Sequence, residues 1–202
     1  LLFYLCEYNN TLSGHSFGGK VATAFFGAVT TRTAGFNTVD TGLLSIPTIL
    51  IFIFLMWVGA SPSSTGGGIK TSSLAIAVLN ISNVVRGKSR LEVYNREISS
   101  TTVNKAFALI VLSIFVISIA IFSISFFDPD NSLLDISFEC VSAYSTVGLS
   151  RGITAGLSFA SKLVLIVTMF LGRVGTLTLL IAVIKRGRSE TYRYPSENIL
   201  IN

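Results

Sequence analysis

The chain repeats itself. Laid against itself at an offset of 113 residues, it sets Phe138 on Phe25, Thr146 on Thr33 and Gly148 on Gly35. The register continues without a gap through Thr154 on Thr41, Leu157 on Leu44, Ser158 on Ser45, Leu163 on Leu50, Met169 on Met56 and Gly172 on Gly59. That is about ten identities in about forty positions, where unrelated segments share roughly one in fifteen to twenty. Whatever one half folds into, the other is expected to fold into as well, in parallel.

The hydropathy pattern says what each half is made of. Half of the residues are hydrophobic and only 12% are charged, against about a quarter in soluble domains. Mean hydropathy is +0.70. Ala106–Phe127 is an uncharged run of membrane-crossing length, closed by the turn residues Asp128, Pro129, Asp130 and Asn131. Leu163–Ile184 is a second run, flanked by Lys162 and Lys185 and interrupted only by Arg173. Leu43–Val58 is a third, too short to cross, and is followed by a Gly-, Ser- and Pro-rich stretch from Gly59 to Gly68. Such a stretch breaks a helix. At membrane depth, irregular backbone persists only where it is buried in protein or lines water. A broken helix beside a cavity is predicted, with helix resuming from about Thr71 to Val85. Phe17–Thr31 and Leu133–Tyr144 are too short to span and read as re-entrant helices or, taken singly, as amphipathic surface helices.

Charge supplies the orientation. Arg86, Lys88, Arg90, Arg96 and Lys105 lie between two apolar runs, and Lys185, Arg186, Arg188 and Arg193 follow the last one. This is the positive-inside pattern, so the net charge of +5 points to membrane topology and not to nucleic acid. Residues 86–105 and 185–202 are expected in the cytoplasm, and 128–133 outside. Neither Met56 nor Met169 is a start residue, and the opening Leu1–Leu5 reads as the remnant of a membrane helix. Cys6 and Cys140 have no metal or disulfide spacing, and His15 stands alone. No Ser/His/Asp, Cys/His or paired-carboxylate arrangement supports catalysis. Gly68-Ile69-Lys70-Thr71 misses the phosphate-binding loop motif by one inserted residue and by its context.

Each repeat thus reads helix, re-entrant helix, small-residue hairpin, helix. The hairpins are Thr33-Ala34-Gly35-Phe36-Asn37 and Thr146-Val147-Gly148-Leu149-Ser150. The second is similar to the TVGYG filter of potassium channels, in which glycine permits the dihedral that turns a carbonyl to the axis. Together with Gly59–Thr71, Gly172-Arg173-Val174-Gly175 and Arg193-Tyr194-Pro195, these hairpins resemble the Trk/Ktr/HKT superfamily of potassium transporters over nearly the whole chain.

The resemblance implies an all-α polytopic membrane protein holding the third and fourth of four helix–pore loop–helix repeats. Residues 1–85 would be the third, truncated at its N-terminus, and 86–104 a basic cytoplasmic linker. Residues 105–184 would be the fourth repeat and 185–202 a cytoplasmic tail. It implies potassium uptake across the plasma (inner) membrane. The carbonyls of Thr33, Ala34, Gly35, Phe36, Thr146, Val147, Gly148 and Leu149 would ligate K⁺, with no organic cofactor. Gly59, Ser61, Pro62, Ser63, Ser64, Thr65, Gly66, Gly67 and Gly68 would form a gate beneath the filter, and Arg173 a barrier to cations. Read without the resemblance, the loop is equally a passive helix break and Arg173 a structural cation paired with carbonyls. Implied partners are the missing N-terminal repeats, a second copy, a cytoplasmic nucleotide-binding regulatory subunit and the lipid bilayer. The alternatives are potassium symport coupled to Na⁺ or H⁺, and Na⁺-permeable transport. Arg32 is expected to brace its hairpin, and Asp40 and Glu139 are candidate braces or mouth charges.

Overall fold

The computed structural model describes residues 1–62, 64–87, 91–93 and 96–175. Its helices are α1 (Leu2–Glu7), α2 (Phe17–Thr30), α3 (Ile46–Trp57), α4 (Thr71–Val85), α5 (Ser100–Phe127), α6 (Leu133–Tyr144) and α7 (Phe159–Val174). Short 3-10 turns at Thr41–Leu43 and Ile153–Ala155 precede α3 and α7. The architecture is helical, with one departure from an all-α reading: Glu92–Val93 (β1) and Arg96–Glu97 (β2) form a minimal antiparallel pair between α4 and α5.

At 28 residues, α5 is about 42 Å long, enough to cross a bilayer whose hydrocarbon core is about 30 Å thick. It starts at Ser100, inside the stretch read as linker. The Ser99–Thr102 segment closes helical turns early, with the Thr102 N–H donating to Ser99 O at 2.9 Å. Much of α5 faces outward with bare apolar residues, Phe122 and Phe126 each being 74% exposed. A soluble surface does not present such a face; a lipid-facing one does. Lipid removes the hydrophobic drive between helices, so tight packing and polar bonds must order the bundle.

The centre of the bundle is α6. It packs against α3, α5 and α7, and Ile136 and every residue from Phe138 to Tyr144 are buried. Phe52 and Met56 of α3 and Ile117 of α5 join Phe138, Val141 and Tyr144 in one apolar cluster that also takes in Val147 and Leu149. By contrast α2 packs against α1, where Gly27 admits the Phe3 ring: a Cβ there would lie 3.2 Å from Phe3 Cζ. The Phe3 ring in turn stacks on Phe52 at 5.4 Å between centroids.

Two glycines let backbones touch. A Cβ on Gly172 would overlap the Tyr144 carbonyl at the end of α6, and one on Gly59 would overlap the Gly67 carbonyl. Helix α7 ends at Val174, where Gly175 takes φ 87° as the cap. Arg173 therefore sits in a last helical turn, where its charge complements the helix dipole, and not in mid-helix as the run Leu163–Ile184 suggests. Residues 176–184 of that run, the 185–202 tail, Ser63, Lys88 and Arg90 lie outside the described residues.

Candidate functional site

Both small-residue hairpins follow a short helix and share one backbone device. Thr33 and Gly35 have φ of 62° and 72°, and Thr146 and Gly148 have φ of 53° and 90°. A β-branched residue in the left-handed region is a genuine outlier, about 1–3 kcal/mol of strain that the surroundings must hold. In each hairpin these two residues flank one of ordinary φ, Ala34 or Val147. Alternating the hand of successive residues turns successive carbonyls to one side, as an ion-coordinating backbone requires.

The two hairpins lie side by side. The Val147 carbonyl approaches Gly35 so closely that a Cβ there would overlap it, and a Cβ on Gly148 would lie 3.8 Å from Gly35 Cα. Each hairpin is tied back to its helix by a hydroxyl: Thr30 Oγ1 donates to Phe36 O at 2.7 Å and Ser142 Oγ to Leu149 O at 2.6 Å. The fourth carbonyl of each predicted set thus has one lone pair engaged by protein. Leu149 is buried, whereas Phe36 is 72% exposed.

The glycine loop between α3 and α4 lies against the first residue of both hairpins. Its ends are pinned by an isolated bridge between Val58 and Ile69, with the Gly59 N–H donating to Ile69 O at 2.8 Å. Between those ends, a Cβ on Gly66 would lie 3.0 Å from Thr33 Cγ2, and one on Gly67 2.7 Å from Thr146 Oγ1. The Gly67 N–H donates to Thr146 Oγ1 at 2.9 Å. Ser61, Pro62, Ser64 and Thr65 are exposed. Lys70 Nζ holds the loop from within, donating to Ser64 O at 3.0 Å and Gly66 O at 2.5 Å. Arg173 holds it from α7, donating through Nη1 to Thr65 O.

Arg173 lines two cavities. One, of about 350 Å³, is bounded by the loop, Tyr144 and Gly172; the other, of about 710 Å³, runs along the second hairpin past Thr146, Gly148 and Leu149. The predicted filter residues, loop and arginine are thus brought to one place, Arg173 sharing one cavity with the glycine loop and another with the second hairpin.

Three carboxylates buttress this arrangement or its helices: Glu7 and Asp128, which sequence reasoning missed, and Glu139, expected as a brace or mouth charge. Glu7, fully buried, accepts through Oε1 from the Ser45 N–H (2.9 Å), Ser45 Oγ (2.6 Å) and Thr48 Oγ1 (2.6 Å). Its Oε2 accepts from Asn10 Nδ2 (2.8 Å) and Thr11 Oγ1 (2.9 Å). Asp128 accepts from the Ser158 N–H (3.1 Å) and Ser158 Oγ (2.8 Å). The Ser161 hydroxyl, then those Ser158 groups, hold the Asp128 carboxyl below its ordinary range, against an opposing push from burial. Ser45 and Ser158 are repeat partners, as are Thr48 and Ser161, so each copy pins the start of its last long helix to a carboxylate at the end of its first. Glu139 accepts from Ser150 Oγ (2.6 Å), the Arg151 N–H (2.9 Å) and Thr154 Oγ1 (2.9 Å). Matched hydroxyl columns in the repeat were the available signal for the first two.

The other expected braces divide. Asp40 Oδ1 accepts from the Gly42 N–H at 2.8 Å, capping its 3-10 turn. Arg32 is exposed, and its guanidinium has no bond among the described residues, so the expected hairpin brace is not there. The arginine that does this work is Arg151, which pairs with Asp135 and donates to Thr41 O at 2.9 Å. Cys6 and Cys140 are free thiols.

The family described as "TrkH: Cation transport protein" matches residues 2–193. The chain is 38% identical to "Ktr system potassium uptake protein B" of Vibrio alginolyticus over 202 residues, covering 99% of this chain and 44% of that protein. It is 34% identical to "Ktr system potassium uptake protein D" of Bacillus subtilis (98% and 44%) and 37% identical to "Potassium/sodium uptake protein NtpJ" of Enterococcus hirae (100% and 46%). It therefore spans a little under half the length of these relatives. Among solved structures, the potassium transporter TrkH of Vibrio parahaemolyticus shares the fold with a TM-score of 0.71 at 22% identity, over 91% of this chain and 41% of that one. These relatives are transport proteins and not enzymes, and the chain belongs to the TrkH family of cation transport proteins.

Proposed function

We propose that the two hairpins form part of the wall of a potassium path through the membrane. The observation that carries this reading is the paired Thr-x-Gly backbone, left-handed at Thr33, Gly35, Thr146 and Gly148, with the two hairpins in contact. Thr33, Ala34, Gly35, Thr146, Val147 and Gly148 present the carbonyls. Those of Phe36 and Leu149 contribute with the lone pair that their helix hydroxyls leave open. Potassium is large and weakly hydrated, so neutral carbonyl oxygens can replace its water shell. The names of relatives that span more than twice this length agree with potassium as cargo.

In this reading Gly59–Thr71 is the gate. It touches the hairpin threonines through Gly66 and Gly67, and its closed form is latched by Lys70 and Arg173. Arg173 also places a fixed positive charge below the hairpins, a barrier that a cation must pass. The two copies act as the third and fourth pore-loop repeats, 1–85 and 105–184, joined by the basic segment 86–104. The basic linker and the 185–202 tail face the cytoplasm, and the protein resides in the plasma (inner) membrane. The remaining repeats, a second copy and a nucleotide-binding regulatory subunit complete the assembly. Sodium permeation is the second reading, favoured by the 37% identity to a potassium/sodium uptake protein.

The test is rubidium and sodium uptake in a potassium-uptake-deficient cell, with the protein expressed from its full reading frame. Gly148→Ser is expected to weaken growth on low potassium and shift uptake toward sodium. Unchanged uptake with Gly148→Ser correctly inserted contradicts the assignment.

A further inference from the structure

The two hairpins are not held alike. Asp135 and Glu139 lie four residues apart on α6, so their carboxylates share a helix face. Arg151, just past the second hairpin, is gripped by both. Its Nε pairs with Asp135, and its backbone N–H donates to Glu139 Oε1 at 2.9 Å. Glu139 is 6% exposed and also takes Ser150 Oγ at 2.6 Å and Thr154 Oγ1 at 2.9 Å. The far side of the guanidinium reaches into the first copy, Nη1 to Thr41 O at 2.9 Å and Nη2 to Gly42 O at 3.3 Å. The Thr41 hydroxyl returns the contact by donating to Ser150 O. In the first copy the counterparts of Glu139 and Arg151 are Phe26 and Thr38, which cannot form such a grip.

We infer that the clasp of Asp135 and Glu139 on Arg151 determines cation discrimination by fixing the exit of the second hairpin. A carbonyl cage discriminates by size only if its backbone resists contracting onto the smaller ion. Charge-assisted bonds in a low-dielectric site are short and stiff. Here they fix Ser150 and Arg151, the residues that leave Leu149, while Ser142 fixes the Leu149 carbonyl. The clasp is a positioning device: none of its three side chains needs to touch the ion. The first hairpin, with Phe36 exposed, lacks it, so discrimination rests mainly on the second.

This rests on reading the hairpins as the ion path, and the experiment separates the two claims. Rubidium and sodium uptake are measured together in proteoliposomes holding wild type, Glu139→Gln, Thr154→Val and Gly148→Ser, each expressed from the full reading frame. The Rb⁺/Na⁺ ratio is internal to each sample, so a merely structural loss of protein leaves it unmoved. Glu139→Gln puts an amide donor where an acceptor is needed, and is expected to lower the ratio by about threefold or more, as loss of charge-assisted bonds around a selective site does. Thr154→Val keeps the shape and removes one bond, so it lowers the ratio less; should Glu139→Gln fail to insert, this variant decides. An unchanged ratio in Glu139→Gln and Thr154→Val, with a lowered one in Gly148→Ser, overturns the clasp and leaves the ion path standing. An unchanged ratio in all three overturns both.

Discussion

Phe25 and Phe138 occupy the same place in the two copies, yet Phe25 is 73% exposed and Phe138 is fully buried. The helices that carry them differ in the same way, α2 resting on α1 and α6 enclosed by α3, α5 and α7. The hairpins that follow nevertheless share their positive-φ threonine and glycine. Repetition therefore preserves local backbone geometry, and the neighbours decide how much support that geometry receives. The second copy has a buried helix, a carboxylate clasp and a buried Leu149. The first has a half-open helix, an exposed Phe36, and Phe26 and Thr38 where the clasp residues would stand, while both hairpins touch the glycine loop through their first threonine.

The repeated glycines sharpen this contrast most. At Gly172 a Cβ meets the Tyr144 carbonyl, at the end of a buried helix that cannot yield, whereas at Gly59 it meets the Gly67 carbonyl in a loop that can. Gly172→Ala is expected to destabilise by about 3 kcal/mol or more, the upper range for overpacking. Gly59→Ala should lose less stability and instead displace the loop. Thermal unfolding in detergent compares the two, and a larger loss for Gly59→Ala breaks the distinction.

Next come the carboxylates that pin the last long helix of each copy. Glu7 is fully buried with all its bonds made. Glu7→Gln leaves hydroxyl and N–H donors short of acceptors, at about 2–3 kcal/mol in the same unfolding assay. Asp128 lies nearer solvent, and Asp128→Asn is expected to matter less. The Asp128 carboxyl is held below its ordinary range in the folded protein. Its contribution is therefore complete above the unfolded-state pKa and disappears as pH falls through the lower folded-state value. Wild type should lose stability on acidification over that window, and Asp128→Asn should lack that component of the loss.

The loop contact gives a smaller effect. Thr146→Val removes the acceptor for the Gly67 N–H and should raise ion leak if the glycine loop gates as proposed, whereas Thr33→Val, whose hydroxyl donates locally to Arg32 O, should raise it less. Equal leak in both would show that the hydrogen bond does not hold the loop. Smallest of all, the Ser145 hydroxyl is buried with no partner among the described residues. Ser145→Ala should leave stability unchanged or raise it by up to about 1 kcal/mol.

Much of this frame was legible in the sequence, for local reasons. The bounds of α4 and α6 follow from their apolar runs, and the left-handed turn at Gly35 and Gly148 from glycine recurring in register. The positive φ of Thr33 and Thr146 was not legible, because a β-branched residue rarely adopts it. The gripping contacts were less legible because they join distant positions. Nothing near Glu7 announces that its partners are Ser45 and Thr48, and Arg151 looks no more structural than Arg32. The i, i+4 spacing of Asp135 and Glu139 was visible, but it acquires meaning only once the hairpin folds back to bring Arg151 beneath it. The early start of α5 escaped because Ser99, Ser100, Thr101 and Thr102 have the composition of a linker.

The central claim is that a potassium-sized cation sits at the paired hairpins. The most direct measurement is the anomalous scattering of Tl⁺ in crystals of the protein expressed from its full reading frame and grown with thallium replacing potassium. The account predicts peaks within coordination distance of the Thr33–Gly35 and Thr146–Gly148 carbonyls, weakened in Gly148→Ser. Well-ordered hairpins with thallium bound elsewhere and none between them would contradict it.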